Sequence, residues 1–373
     1  MSKVNKYELT EHQLYITPRK LWKRLLKNNQ ISESKKRMSS KITLFVFLTA
    51  PFRLLQRIIL SFRLKKVSFK QNAPVFVIGH WRSGTTHLHY LLAKDKQFSY
   101  LTAFQAFFFH ISFVSKWIMK PILNWKMPEN RPQDNVKISA DAPTEEEHPL
   151  VNCTEKSGMQ SFFFPNNRSY FDKYNLFEGV QDEEIKNWKQ IYHRLLQKIA
   201  LYEGPKKKLL LKNPHNTARI KALIEMYPNA KFIFIHRNPY EVFNSSKVLY
   251  NRTIKSQFLQ EFNDSQIDER IIYCYEKTLK KYLELRIHIP SGQLVEVAYD
   301  DLDKNPLKEI EKIYSKLNLG SFEKVRPDME LYLQKEEEFK KNILKPIPDK
   351  LLSKINKQWA FAFKAWDYQI QSN

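Results

Sequence analysis

Pro74-Val-Phe-Val-Ile-Gly-His-Trp-Arg-Ser-Gly-Thr-Thr-His-Leu-His-Tyr-Leu-Leu-Ala93 holds an apolar strand, a glycine-bounded turn and the opening of a helix in one short stretch. Pro74 to Ile78 is apolar at consecutive positions, which suits a strand buried on both faces in a parallel sheet. Gly79 and Gly84 have the G-x-x-x-x-G spacing of a phosphate-binding loop, where backbone N–H groups and a helix N-terminus hold phosphate oxygens. The Lys that follows the second glycine in nucleoside triphosphatases is absent; Thr85 stands there, and the cation is Arg82 inside the loop. A triphosphatase normally needs that Lys and a magnesium site, so this loop is expected to take a phosphate group other than a β/γ pair.

The same order of strand, turn and helix recurs outward from this stretch. Lys208-Leu-Leu-Leu211, Lys231-Phe-Ile-Phe-Ile-His236 and Leu294-Val-Glu-Val-Ala298 read as further strands. Helices are predicted from Trp188 to Tyr202, from an Asn216/Thr217 cap to Tyr227, from Tyr240 to about Tyr250, and after Asn305-Pro306. Earlier in the chain, Thr17-Pro18 reads as cap and first position of a basic helix running to about Asn28. This alternation predicts an α/β fold with a P-loop-like parallel sheet flanked by helices. Residues 1–70 are expected to form an amphipathic helical extension, and 71–373 a single domain with an aromatic-rich helical cap inserted at about 101–205.

In open α/β sheets, ligands bind beyond the carboxyl ends of the strands. Besides the glycine loop, two strand ends carry chemistry. Arg237 follows the strand ending at His236, and Ser245 lies two helical turns further on, which returns it to the same crevice; an Arg and a hydroxyl there suit a second phosphate. Leu211-Lys-Asn-Pro-His-Asn216 puts Lys212 at the end of its strand and His215 just outside. Alone, a strand-end Arg or Lys is more often a structural ion pair, but three such features in this order are specific.

Together these motifs resemble those of sulfotransferases that use 3′-phosphoadenosine 5′-phosphosulfate (PAPS). Arg82-Ser83-Gly84-Thr85-Thr86 resembles the family's 5′-phosphosulfate loop, and Arg237-Asn-Pro with Ser245 resembles its 3′-phosphate site. Leu210-Leu-Lys-Asn-Pro-His215 and Tyr227-Pro-Asn-Ala-Lys-Phe-Ile-Phe-Ile-His-Arg237 strengthen the likeness, which covers about residues 74–320. It is closer to the mostly bacterial group and to tyrosylprotein sulfotransferases than to the cytosolic phenol and steroid enzymes. The resemblance implies metal-independent, in-line sulfuryl transfer with adenosine 3′,5′-bisphosphate as the leaving product. It also implies a cofactor contact for Tyr299. The sequence itself shows no His/Asp/Glu cluster with metal-ligand spacing.

Sulfuryl transfer places growing negative charge on the leaving oxygen, so cations and N–H donors must gather there. Arg82, the amides of Gly84–Thr86 and Lys212 are the residues expected to do so. The attacking hydroxyl needs a general base. Many relatives have a Glu about twenty residues after the loop, where this chain offers Gln105, which cannot be a base. The candidates are Arg131-Pro-Gln-Asp-Asn135 and Asp141-Ala-Pro-Thr-Glu-Glu-Glu-His148, the latter resembling an acidic segment of the bacterial group. Adjacent carboxylates repel, so one buried among them has a raised pKa. Glu147 is favoured over Glu146, with His148, His215 and His80 in reserve; the alternative is an exposed acidic helix start capped by Thr144.

The 373 residues include 62 Lys+Arg against 39 Asp+Glu, a net charge of +23, with 42% hydrophobic and 14% aromatic residues. That hydrophobic content excludes wholesale disorder. Two distant cysteines, Cys153 and Cys274, exclude a disulfide framework and favour a reducing, cytoplasmic setting. The charge fits a solvated surface or attraction to a polyanion, but no nucleic-acid-binding motif accompanies it. No secretory leader is expected, because Met1 to Gln30 is charged throughout. Ile42 to Phe52 is apolar for 11 residues, short of the roughly 20 that a spanning helix needs. With the basic amphipathic run after it, the segment 42–66 has the pattern of an interfacial helix at the inner face of a membrane, or of a core-covering helix with basic ends. Aromatic residues across Phe104–Trp125 and Phe162–Phe164 point to a lipophilic alcohol acceptor such as a sterol, quinol or lipid, with sugar hydroxyls and protein tyrosines still open. A P-loop kinase or NTPase and a non-catalytic basic membrane-associated protein are the readings from other classes.

Overall fold

The computed structural model describes residues 12–127, 137–336 and 346–371; the candidate-base segment 131–135 lies outside them. The chain divides into two compact units. One comprises the described parts of Met1–Asn72, Ser99–Lys207 and Thr253–Phe262, the other those of Ala73–Phe98, Lys208–Arg252 and Asn263–Asn373.

The second unit is built on the sheet. Its strands are β1 (Val75–Ile78), β2 (Phe98–Ser99, at the unit boundary), β3 (Lys208–Lys212), β4 (Lys231–His236) and β5 (Leu294–Ala298), in the order β2-β3-β1-β4-β5. β1 runs parallel to β3, with Val77 opposite Lys212, and parallel to β4, with Ile78 opposite Phe234; β4 runs parallel to β5. The continuous apolar runs have a physical basis, because both faces are covered. Val75, Val77, Ile233 and Ile235 pack with Leu88 and Leu91 of helix Thr85–Leu92 and with Ile310 and Ile313 of helix Pro306–Leu317. On the other face Phe76 stacks on Phe232 at 5.5 Å, and Phe234 on Tyr282 at 3.6 Å. Each such aromatic side chain contributes roughly 2–3 kcal/mol on burial. From β1 the chain passes to β2 and β3 on one side and then crosses to β4 on the other, which makes the end of β1 the switch point at which parallel sheets open a crevice.

The first unit is helical. Leu14, Trp22 and Leu25 share a core with Ile42, Val46, Phe163, Phe171 and Leu259. The N-terminal residues, expected as an extension of their own, therefore pack with the inserted segment.

Local details differ from expectation for identifiable reasons. The first predicted helix is Arg19–Asn28 with Pro18, not Thr17, at the cap position, because the Thr17 hydroxyl donates to Asn152 Oδ1. Asn216 and Thr217 cap nothing: they sit in a 3-10 turn, Pro214–Ala218, ahead of helix Ile220–Met226. Thr217 Oγ1 instead accepts from the Gly79 N–H (2.8 Å) and donates to the Gly79 carbonyl (3.0 Å). Helix Asp264–Leu285, opened by an Asn263/Gln266 capping box, had no counterpart in the sequence reading.

Thr217→Val keeps the side-chain size and leaves both buried Gly79 backbone groups without these partners, a loss on the order of 2–4 kcal/mol. Urea denaturation should show a lower midpoint with the slope unchanged, and a wild-type midpoint would contradict the clamp.

Candidate functional site

In the second unit the turn after β1 is held open by backbone that only certain residues accept. Gly79 has φ +144°, and a Cβ there would lie 2.4 Å from the Ile235 carbonyl oxygen on β4. Gly84 has φ +97°, and its Cβ would fall 2.3 Å from Cδ2 of Tyr299. Arg82 takes a left-handed φ of 71° without being glycine, a strained state worth on the order of 1 kcal/mol or more. Ser83 closes the loop beneath it by donating its hydroxyl to the His80 carbonyl at 2.6 Å.

That geometry brings Arg82 to Ser245: the guanidinium Nε donates to the serine Oγ at 2.9 Å. Arg237 Nη1 lies 3.5 Å from the Arg82 carbonyl, its Nε donates to Glu241 Oε2 at 2.7 Å, and its guanidinium sits 4.1 Å from the Tyr299 ring centroid. Arg82, Ser83, Gly84, Arg237, Ser245 and Tyr299 thus form one cluster, at the entry of the helix that Thr85 and Thr86 begin. Two guanidiniums, a hydroxyl and a helix N-terminus make a site suited to more than one anionic group. Glu241 and the Tyr299 ring offset the mutual repulsion of the cations.

Lys212 ends β3, next to β1, and is only 2% exposed. Beyond it, the Asn213 side chain accepts from the His215 N–H at 3.0 Å, and the His215 ring packs edge-on against Trp81 at 4.6 Å. Burial pushes His80 down to about 4, so its ring is neutral at neutral pH; Nδ1, 2.8 Å from the Trp81 carbonyl, is the protonated nitrogen. The Thr217 clamp, the packing role of Trp81 and the fully buried Arg219 are not evident from the sequence. The signal available was the density of polar residues from Asn213 to Arg219.

The acidic candidates belong to the first unit. Glu146 and Glu147 are both 0% exposed, so the alternative of an exposed helix start does not form. Thr144 is no side-chain cap: helix Glu147–Leu150 begins from Glu146 without one. The Tyr192 hydroxyl donates to Glu146 Oε1 at 2.7 Å, and the Ser157 hydroxyl to Glu147 Oε1 at 2.6 Å. Burial raises the Glu146 carboxyl to about 7, against the opposing Tyr192 hydrogen bond and with added repulsion from Glu147 and Glu145. His148 Nδ1 accepts from the Gln13 side-chain amide at 2.8 Å. Gln105 closes a capping box with Thr102 and donates to Glu203 Oε1 at 2.7 Å. Glu203 is a carboxylate the sequence did not single out; burial raises its pKa, as does Asp141 nearby. Among the described residues, no group of three or more His, Cys, Asp or Glu is placed to hold a metal ion.

Comparison with known proteins identifies the family and the fold. The model of the sulfotransferase family matches residues 74–324. The omega-hydroxy-beta-dihydromenaquinone-9 sulfotransferase Stf3 of Mycobacterium bovis, and the protein of that name from Mycobacterium tuberculosis, are each 30% identical over 326 residues, 86% of this chain and 82% of theirs. Among solved structures, sulfotransferase STF1 of Mycobacterium tuberculosis superposes with a TM-score of 0.65 at 23% identity over 83% of either chain. STF9 of Mycobacterium avium does so with a TM-score of 0.64 at 16% identity, over 96% of this chain and 98% of that one. These two likenesses are of fold.

The raised Glu146 pKa has a consequence for stability. The folded state holds this proton up to about pH 7, whereas an ordinary carboxyl releases it near 4.5. Glu146 therefore opposes folding increasingly as pH rises through that window. Glu146→Gln keeps an acceptor for Tyr192, and its melting temperature should gain on wild type between about pH 5 and pH 8; a constant difference would contradict the shift.

Proposed function

The chain belongs to the sulfotransferase family, and from that premise we propose that it transfers the sulfuryl group of PAPS to the hydroxyl of a lipophilic alcohol. The observation that carries the cofactor assignment is the contiguity of Arg82, Ser245 and Arg237 around one glycine loop. This donor set fits a nucleotide bearing separate 5′ and 3′ anionic groups. When bound, PAPS supplies the sulfuryl group and departs as adenosine 3′,5′-bisphosphate.

Arg82 and the N–H groups of Gly84–Thr86 hold anionic oxygens on the 5′ side, where fixed donors at a helix entry need no rearrangement. Arg237 and Ser245 hold the 3′-phosphate, the group that distinguishes this cofactor from ATP. The Tyr299 ring braces the Arg237 guanidinium from its face. Lys212, desolvated at its strand end, stabilises the charge that develops on the leaving oxygen. The proton of the acceptor hydroxyl is assigned to the Glu146/Glu147 pair. Sequence favours Glu147, whereas Glu146 carries the pKa near 7 that suits a base at neutral pH.

Support for a lipophilic acceptor comes from the Stf3 relatives, whose name records action on a hydroxylated dihydromenaquinone. Incubation with labelled PAPS and a panel of prenylated quinones, sterols and lipid alcohols, beside sugars and tyrosine peptides, should label the lipophilic set; label confined to soluble acceptors would contradict the assignment.

Variants separate the residue roles. Arg237→Ala should weaken adenosine 3′,5′-bisphosphate by about 2–4 kcal/mol through loss of a charge-assisted contact, while Lys212→Ala lowers kcat far more than it alters that affinity. Equal losses in both quantities for Lys212→Ala would make it a binding residue alone. Glu146→Gln and Glu147→Gln should keep the nucleotide affinity, with turnover lost in at least one; full activity in both would remove the pair from the base role.

A further inference from the structure

The first unit presents an apolar surface that sulfuryl transfer does not explain. Helices Lys36–Leu48 and Ala50–Leu60 meet at a bend of 47°. At the bend the Arg53 guanidinium donates to the Val46 carbonyl and to Thr49 Oγ1, which occupies acceptors beside the break. The pair turns a narrow stripe inward: Ile42, Val46, Gln56 and Leu60 are buried. The outward faces are apolar as well, with Leu48, Phe52, Leu55 and Ile58 about half exposed and Phe62 76% exposed. A helix face directed at water is ordinarily polar.

A second, distant segment extends the same surface. The buried Gln56 amide donates to the Phe109 carbonyl at 3.0 Å and accepts from the Phe113 N–H at 2.7 Å. Both ends of that side chain therefore fasten helix Ala50–Leu60 to the start of helix Ser112–Lys126. The latter exposes Trp117 (88%) and Trp125 (78%), with Ile118 between them. The aromatic stretch Phe104–Trp125 is thus split: Phe104 and Phe109 are buried, whereas these tryptophans face outward.

Charge identifies the occupant. Residues 34–72 and 99–127 contain thirteen Lys and Arg and no Asp or Glu. Two copies of such a face repel each other, whereas an anionic lipid surface attracts it. Exposed tryptophans beside Lys and Arg are the side chains that settle at the headgroup boundary. No single helix among the described residues is long and apolar enough to cross a membrane; the bent pair reaches that length only when taken together, and its inward stripe is already packed. We propose that the outward faces of Lys36–Leu48, Ala50–Leu60 and Ser112–Lys126 form one surface that docks on an anionic bilayer without spanning it. This inference does not depend on which acceptor is sulfated.

Flotation of the full chain with phosphatidylcholine vesicles, with and without phosphatidylglycerol, tests it. The protein should partition onto the phosphatidylglycerol vesicles at least about tenfold more strongly, with the preference shrinking as salt rises. Ile58→Glu and Trp117→Glu, on helices far apart in sequence, should each lower that partition about tenfold, with melting temperature and adenosine 3′,5′-bisphosphate affinity as in wild type. Several results would overturn the proposal: no flotation on either vesicle, equal flotation on both, or loss in only one of the two variants. A dimer that hides this face in the absence of lipid would do the same.

Discussion

The position of β1 between β3 and β4 is the constraint on which the rest of the second unit depends. A strand buried on both faces, flanked by parallel neighbours, can place polar groups only at its ends. Parallel pairing then puts the turns after β1, β3 and β4 at the same edge of the sheet. Arg82, Lys212 and Arg237 are gathered there by topology before any pairwise contact acts. The local consequences follow from close approach: Gly84 must lack a side chain because the Tyr299 ring fills that space, and the same ring supports the Arg237 guanidinium. Gathering cations in a partly desolvated place costs free energy that an anionic ligand returns on binding.

Much of this was legible in the sequence, because continuous apolar runs, glycine spacing and strand-end charges are local signals. Strands β1, β3, β4 and β5 and the loop residues Arg82 to Thr86 could be read directly. Thr217 could not, since its partner Gly79 is distant in sequence and the residue looks like an ordinary helix cap. Helix Asp264–Leu285 was hidden by the charged residues interspersed along it. The shared core of Trp22, Val46 and Leu259 has no local signature either. Glu146 and Glu147 were legible as an acidic run, but their complete burial and their hydroxyl partners Tyr192 and Ser157 were not.

The two units carry different physical burdens. The second holds fixed donors for anionic groups. The first buries two adjacent carboxyls, a costly arrangement tolerated through hydroxyl hydrogen bonds and, for Glu146, a proton held to near neutrality. It also exposes apolar helices that carry Lys and Arg among their apolar residues. A lipophilic acceptor and a bilayer-facing surface are chemically consistent, because an alcohol of low aqueous solubility resides in the membrane.

In the proposed function, the Arg82/Ser245/Arg237 cluster takes a nucleotide with a 3′-phosphate. Calorimetric titration with adenosine 3′,5′-bisphosphate in EDTA, beside ATP with magnesium, tests it most directly. Tight, metal-independent binding of the bisphosphate with little response to ATP is expected. Preference for magnesium-ATP, or no heat from either nucleotide, would contradict it.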